Sequence, residues 1–277
     1  MPTTLPWRAD APGATRPADL EPLPPARMSV LRGGRPLKRW RYVGVYGPEL
    51  MLCAGAVRIG GIPQAFWAVW DRGSRVLRER TVFGRGGVAL PEGAARIRAA
   101  DAEILLVLEP AGDPVEVVSR HGAQHIWTRK LPIRAHGSVT LDGRTLRVDA
   151  AGLVDDSAGY HARETAWDWS AGVGTSAAGE PVAWNLVTGV HDALRGSERT
   201  VWVSGTAREV PPVQFAPSLD GVDDLRFTAE AERARHDNVV VFASDYRQPF
   251  GTFSGTLPGG VELAEGFGVM ERHAVRW

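Results

Sequence analysis

Between residues 155 and 170 the chain gathers a dense set of side chains able to move a proton or face a cation: Asp155, Asp156, Tyr160, His161, Arg163, Glu164, Trp167, Asp168 and Trp169. Asp155 and Asp156 are adjacent, so they point to different sides of the backbone. An aspartate facing an apolar cavity has a raised pKa and can act as a general acid. The same Asp-Asp-Ser run is also an ordinary turn or capping sequence. His161 titrates in the right range for acid–base work, and it serves equally well as a hydrogen-bonded structural histidine. In an extended strand Arg163, Thr165, Trp167 and Trp169 share one face, and Glu164, Ala166 and Asp168 take the other. Two indoles side by side could wall a pocket for an apolar or cationic ligand. They could also fill a core between sheets.

Two further places add to this group. Asn185 sets an amide beside Trp184. Glu271 and His273 stand two residues apart, hence on one face of a strand, and could pair with each other or with Arg163; a structural ion pair is the plainer role for them. The remaining histidines are scattered, and His121 and His125 do not form an H-E-x-x-H pattern, so no metal site is expected. The single cysteine, Cys53, lies in an apolar run and reads as a buried small hydrophobe. It permits no intramolecular disulfide and no cysteine-based zinc site. There is no G-x-S-x-G elbow, no P-loop and no dinucleotide fingerprint, so no cofactor is expected.

The elements that must position these residues read as strands. Residues 39–46 alternate large and polar side chains at period two, residues 50–59 and 65–71 follow after Gly-Pro and Gly-Gly breaks, and the pattern recurs to the C-terminus. Asp142-Gly143 between alternating runs is the strongest hairpin signal, because both turn positions need positive φ. Residues 225–231 have helical propensity but also fit period two and are read as strand. Residues 155–160 are read as a loop, with room for a turn of helix. Residues 1–25, rich in proline, are read as an extended arm wrapping the domain, with Trp7 as its anchor. The Gly-containing stretch at 150–152 divides the rest into two β halves, residues 26–150 and 151–277. The expected class is all-β, a sandwich or barrel.

The 277 residues carry 32 Lys+Arg against 32 Asp+Glu. This balance disfavours nucleic acid as a partner, since phosphate neutralisation needs clustered cations. No apolar run is long enough for a transmembrane helix, and the N-terminus lacks the layout of a signal peptide. The expected location is the cytoplasm. Nothing in the sequence sets an oligomeric state.

The run D-x-S-x-G-Y-x-x-R-x-T-x-W-x-W-x-x-G from Asp155 to Gly172 resembles the bacterial domain-of-unknown-function 2804 family. So do N-L-x-x-G at Asn185, F-G-x-F-x-G at Phe250 and G-V-M-E ending at Glu271. More distantly, the layout is similar to the lipocalin-like carotenoid hydratase and AttH-type superfamily. That resemblance implies two antiparallel lipocalin-like barrel or sandwich halves packed together. It also implies hydration or cyclisation of terpenoid or polyketide chains by an aspartic acid with aromatic residues that shield cations. Asp155 or Asp156, with Tyr160, Trp167 and Trp169, are the matching types.

The first expectation is therefore a cofactor-independent acid–base enzyme of the hydratase, cyclase or isomerase type, acting on a small hydrophobic molecule. Asp155, Asp156, Tyr160 and His161 are its candidate catalytic residues. Arg163, Trp167, Trp169, Asn185, Glu271 and His273 are its candidate ligand-binding residues. The alternative is a lipocalin-like protein that binds a lipid or other hydrophobe without chemistry. A carbohydrate-active reading is third, with Glu164, Asp168 or Glu271 as the partner carboxylate.

Overall fold

A computed structural model describes residues 5–11, 13–18, 20, 22–84, 86–121, 123–239 and 242–277, without the side chains of Val239 and Phe242. Residues 1–4, 12, 19 and 21 of the expected arm lie outside this set. The chain opens with β1 (Trp7–Arg8), β2 (Leu31–Arg32) and β3 (Arg35–Pro36). A meander follows: β4 (Lys38–Tyr46), β5 (Leu50–Ile59), β6 (Ile62–Asp71) and β7 (Val76–Phe83). Next come β8 (Val88–Ala89), β9 (Ala94–Arg98), β10 (Ala102–Pro110), β11 (Val115–His121), β12 (Gln124–Leu141) and β13 (Arg144–Gly159). The C-terminal part holds β14 (Glu164–Ser176), β15 (Pro181–Thr188), β16 (Thr200–Val203), β17 (Thr206–Glu209) and β18 (Gly221–Val222). It ends with β19 (Leu225–Val239), β20 (Phe242–Leu257) and β21 (Val261–Arg276). Among the described residues there is no helix.

All ladders are antiparallel. The first sheet has 11 strands along the order β7-β6-β5-β4-β13-β12-β10-β9-β8, with β11 and β1 added beside the first half of β12. The second has 8 strands in the order β17-β16-β15-β14-β21-β20-β19-β18. Both curl into half-barrels.

Period two explains the layering. In β10, Ala102, Ile104, Leu106 and Leu108 point into the first half-barrel, and Glu103 and Glu109 point out. β5 is buried on both faces: Leu50, Leu52 and Ala54 join the core inside the first sheet, while Met51 and Cys53 join the core between the sheets. β4 alternates likewise, with Val43 and Val45 inward and Tyr42 and Tyr46 toward the second sheet. A strand covered on both faces has no polar side to spare, which is why its sequence runs apolar.

The Asp142-Gly143 hairpin forms as expected, with φ of 49° and 82°. Residues 225–231 are strand, and that strand continues to Val239. Two expectations are corrected. Residues 155–159 are not a loop but the end of β13, because each pairs with both β12 and β4. Twofold ladder pairing outweighs the local turn preference of Asp-Asp-Ser. Residues 150–152 are not a boundary either. They sit inside β13, where Gly152 lets β4 approach; a Cβ there would meet the Gly44 carbonyl oxygen at 2.1 Å. The chain crosses between sheets at residues 160–163. Within the expected arm, Trp7 and Arg8 pair with Val118 and Val117, and buried Arg8 donates to the Ser197 carbonyl at 2.6 Å.

Candidate functional site

The register that builds the two sheets also builds a cavity between them. On β14, Trp167 and Trp169 face inward with Ala171, toward the other sheet. β21 places His273 opposite Trp167 and Glu271 opposite Trp169. β20 places Tyr246 opposite His273. From the first sheet, the hairpin of β12 and β13 places Lys130 opposite Asp155. The cavity these residues line has a volume of about 190 Å³, room for on the order of a dozen waters. Trp40, Tyr42 and Phe66 complete an aromatic wall.

Glu271 is 9% exposed. Its Oε1 accepts from the Trp167 indole N–H at 2.8 Å, and its Oε2 accepts from the Gln248 amide at 2.9 Å. Burial penalises the carboxylate, and the hydrogen bonds from Trp167 and Tyr246 oppose that only in part. The result is a pKa pushed up to about 7. A carboxyl group with that pKa is divided between acid and base at neutral pH, as proton transfer requires.

The second charged group is a triad. Lys130 Nζ lies 2.6 Å from Asp155 and 3.3 Å from Glu198. Burial pulls the ammonium down, but the two facing carboxylates win and hold it above its ordinary value. Asp155 is raised, first by burial, with Lys130 opposing and Glu198 adding repulsion. One cation thus serves two buried acids. The triad reaches the tryptophans through Asn185, whose Oδ1 accepts from Trp169 Nε1 at 2.7 Å and whose amide donates to the Glu198 carbonyl at 3.0 Å.

The histidines of the cavity are kept neutral. Burial lowers His161 and His191 well below the usual range and lowers His273 to about 4. His273 Nε2 lies 2.8 Å from Ser244 Oγ, and its ring packs edge-on against Trp167 at 4.5 Å. His161 packs against Trp40 at 5.0 Å. Arg233 is buried, bonded to Glu79 at 2.8 Å and to the Tyr246 hydroxyl at 3.2 Å, and lies over the Phe66 ring.

The structure therefore brings together Asp155, His161, Trp167, Trp169, Glu271 and His273, with Asn185 behind Trp169. Asp156 points to the opposite face of β13, 3.7 Å from Arg41. Tyr160 gives its hydroxyl to the Ser29 carbonyl at 2.8 Å and packs among Leu23, Met28 and Trp127, away from the cavity. Arg163 is exposed and lines no part of the cavity. Glu271 and His273 have neutral partners and are not joined as an ion pair. Lys130, Glu198, Tyr246, Gln248 and Arg233 were not anticipated from sequence. Among the described residues no group of three His, Cys, Asp or Glu side chains is placed to hold a metal ion. No helix among them is long and apolar enough to cross a membrane.

The family described as a domain of unknown function, DUF2804, matches residues 96–277. The chain belongs to the DUF2804 family. The matched span of this DUF2804 chain carries the cavity carboxylates Asp155, Glu198, Asp237 and Glu271. No curated protein matches its sequence. Solved structures that share its fold include two of low identity. An AttH-like protein from Nitrosomonas europaea is 14% identical with a TM-score of 0.50, over 90% of this chain and 97% of that one. Kievitone hydratase from Nectria haematococca is 11% identical with a TM-score of 0.53, over 85% of this chain and 88% of that one. The lipocalin-like architecture of the DUF2804 chain rests on these likenesses and on its own sheets.

Proposed function

We propose that the DUF2804 chain is a cofactor-independent acid–base enzyme of the hydratase, cyclase or isomerase type, acting on an apolar small molecule such as a terpenoid or polyketide. The observation that carries this reading is Glu271, a buried carboxyl with a pKa of about 7 among indole and phenol rings. In this reading Glu271 takes the role first given to the aspartates.

Protonated Glu271 gives its proton to one carbon of a substrate double bond. The positive charge left on the neighbouring carbon faces the rings of Trp167 and Trp169, whose π-faces attract cations. In hydration a water oxygen bonds to that carbon and returns a proton to the Glu271 carboxylate. In isomerisation a neighbouring C–H bond returns it instead. Either route restores the acid. Lys130 and Asp155 hold the polar side of the cavity, and neutral His161 offers a hydrogen bond to a substrate oxygen. The likeness to kievitone hydratase is one of fold, and it nominates hydration as the first reaction to assay. The cytoplasm is the proposed location.

The test is incubation of purified protein with a panel of terpenoid and polyketide alkenes in D2O, followed by mass spectrometry. Wild type is expected to add water or exchange deuterium into a carbon position, and Glu271→Gln to do neither. Compounds that bind without any change in mass, in wild type as in the variant, would overturn catalysis and leave a binding protein.

A further inference from the structure

A second cavity of about 960 Å³ opens on the other face of β4, β5 and β13, at the mouth of the first half-barrel. Its charges come in two rows across the sheet. In one row Arg41 stands opposite Asp156, Asp156 opposite Arg129, and Arg129 opposite Glu116, so signs alternate. Glu92 adds contacts of 3.2 Å to Arg41 and 3.6 Å to Arg129. In the next row Arg58 stands directly opposite Arg39, and the residues that continue that row are Ala158 and Trp127. Like charges directly opposed in a ladder are unfavourable. Among the described residues no ion pair reaches Arg39 or Arg58, both exposed to the cavity.

Among the described residues the mouth holds five arginines, Arg16, Arg39, Arg41, Arg58 and Arg129, against three carboxylates, Glu92, Glu116 and Asp156. Those described residues carry two more positive than negative charges, in a chain whose net charge is zero. Arg41 Nε is buried and has no hydrogen-bond acceptor among the described residues. Pro24, Pro25 and Trp127 form apolar walls beside the charges. A concave site with low-dielectric walls and one excess sign concentrates the opposite ion. Two facing guanidinium forks match the oxygens of a phosphate, which carries close to two negative charges at neutral pH.

We propose that this mouth binds a phosphate monoester, free or as a lipid headgroup, with Arg39 and Arg58 as its principal contacts. The site lies on the face of the sheet opposite Glu271 and does not depend on the chemistry proposed there.

The test is isothermal titration of the full chain with phenyl phosphate at low ionic strength, beside flotation with phosphatidylcholine vesicles containing phosphatidic acid. Both arginines are exposed, so Arg39→Ala with Arg58→Ala keeps the fold. Wild type is expected to bind one or both probes, more weakly as salt rises. The double variant should lose at least about tenfold in affinity, and Glu271→Gln should bind as wild type does. Retention of only the vesicle arm assigns the headgroup, and retention of the soluble arm assigns the free ester. Binding of neither probe, or equal binding by wild type and double variant, overturns the site.

Discussion

Trp167 donates its indole N–H to Glu271 across the β14–β21 ladder at 2.8 Å, although the residue directly opposite Glu271 in register is Trp169. The donor therefore reaches diagonally, and Trp169 spends its own N–H on Asn185 instead. One indole steadies the Glu271 anion while the surrounding burial disfavours it. The balance holds this carboxyl near neutrality.

Trp167→Phe keeps the ring and removes the N–H. The carboxylate loses a donor, so the Glu271 midpoint should move above its value of about 7. A pH profile of turnover, or a carbon-13 titration of labelled glutamate, reads this directly. A midpoint that falls would contradict the role given to the indole.

Glu271 also links stability to pH. Its folded pKa of about 7 lies above the ordinary 4.5. The folded state thus binds this proton more tightly than the unfolded state. Its contribution is fully present below pH 4.5 and is lost as pH rises through 7, by roughly 3 kcal/mol at full effect. In Glu271→Gln that slope should vanish. Urea denaturation of both proteins between pH 4.5 and 8 checks it, and parallel curves would count against the assignment.

Lys130→Met leaves Asp155 and Glu198 buried without their cation. Breaking a buried pair by removing one partner is strongly destabilising, about 3–5 kcal/mol. Chemical denaturation at pH 7 should show a loss of that size. The loss should shrink at lower pH, where Asp155, its pKa already raised by burial, takes up a proton.

Asp156→Asn and Tyr160→Phe are the contrasting cases. Asp156 sits across the sheet from the cavity, and Tyr160 is tied to Ser29. Neither change should move the Glu271 titration or abolish turnover. Tyr160→Phe should cost about 1 kcal/mol of stability for the lost hydrogen bond. Abolished turnover in Asp156→Asn with its fold intact would return the acid role to the aspartate.

Much of this was legible in residues. Period two identified the strands and placed Trp167 and Trp169 on one face, and both do line the cavity. The same period set Glu271 and His273 together, although their hydrogen-bond partners are neutral groups. Lys130 was within reach. Counting outward from the two-residue Asp142-Gly143 turn pairs Leu141 with Arg144 and, further along, Lys130 with Asp155. Reading residues 155–160 as a loop cut that count short. Glu198 precedes a short strand without a periodic signal, and the Gln248 and Tyr246 contacts depend on β20 meeting β21. Such long-range pairings are set by the packing of whole sheets, which local pattern does not encode.

The most direct test of the account is infrared difference spectroscopy of the Glu271 carboxyl, using carbon-13-labelled glutamate and Glu271→Gln as the blank. The account predicts a protonated carbonyl band that disappears with a midpoint of about 7. A band already gone at pH 5, with its midpoint at the ordinary 4.5, would contradict it.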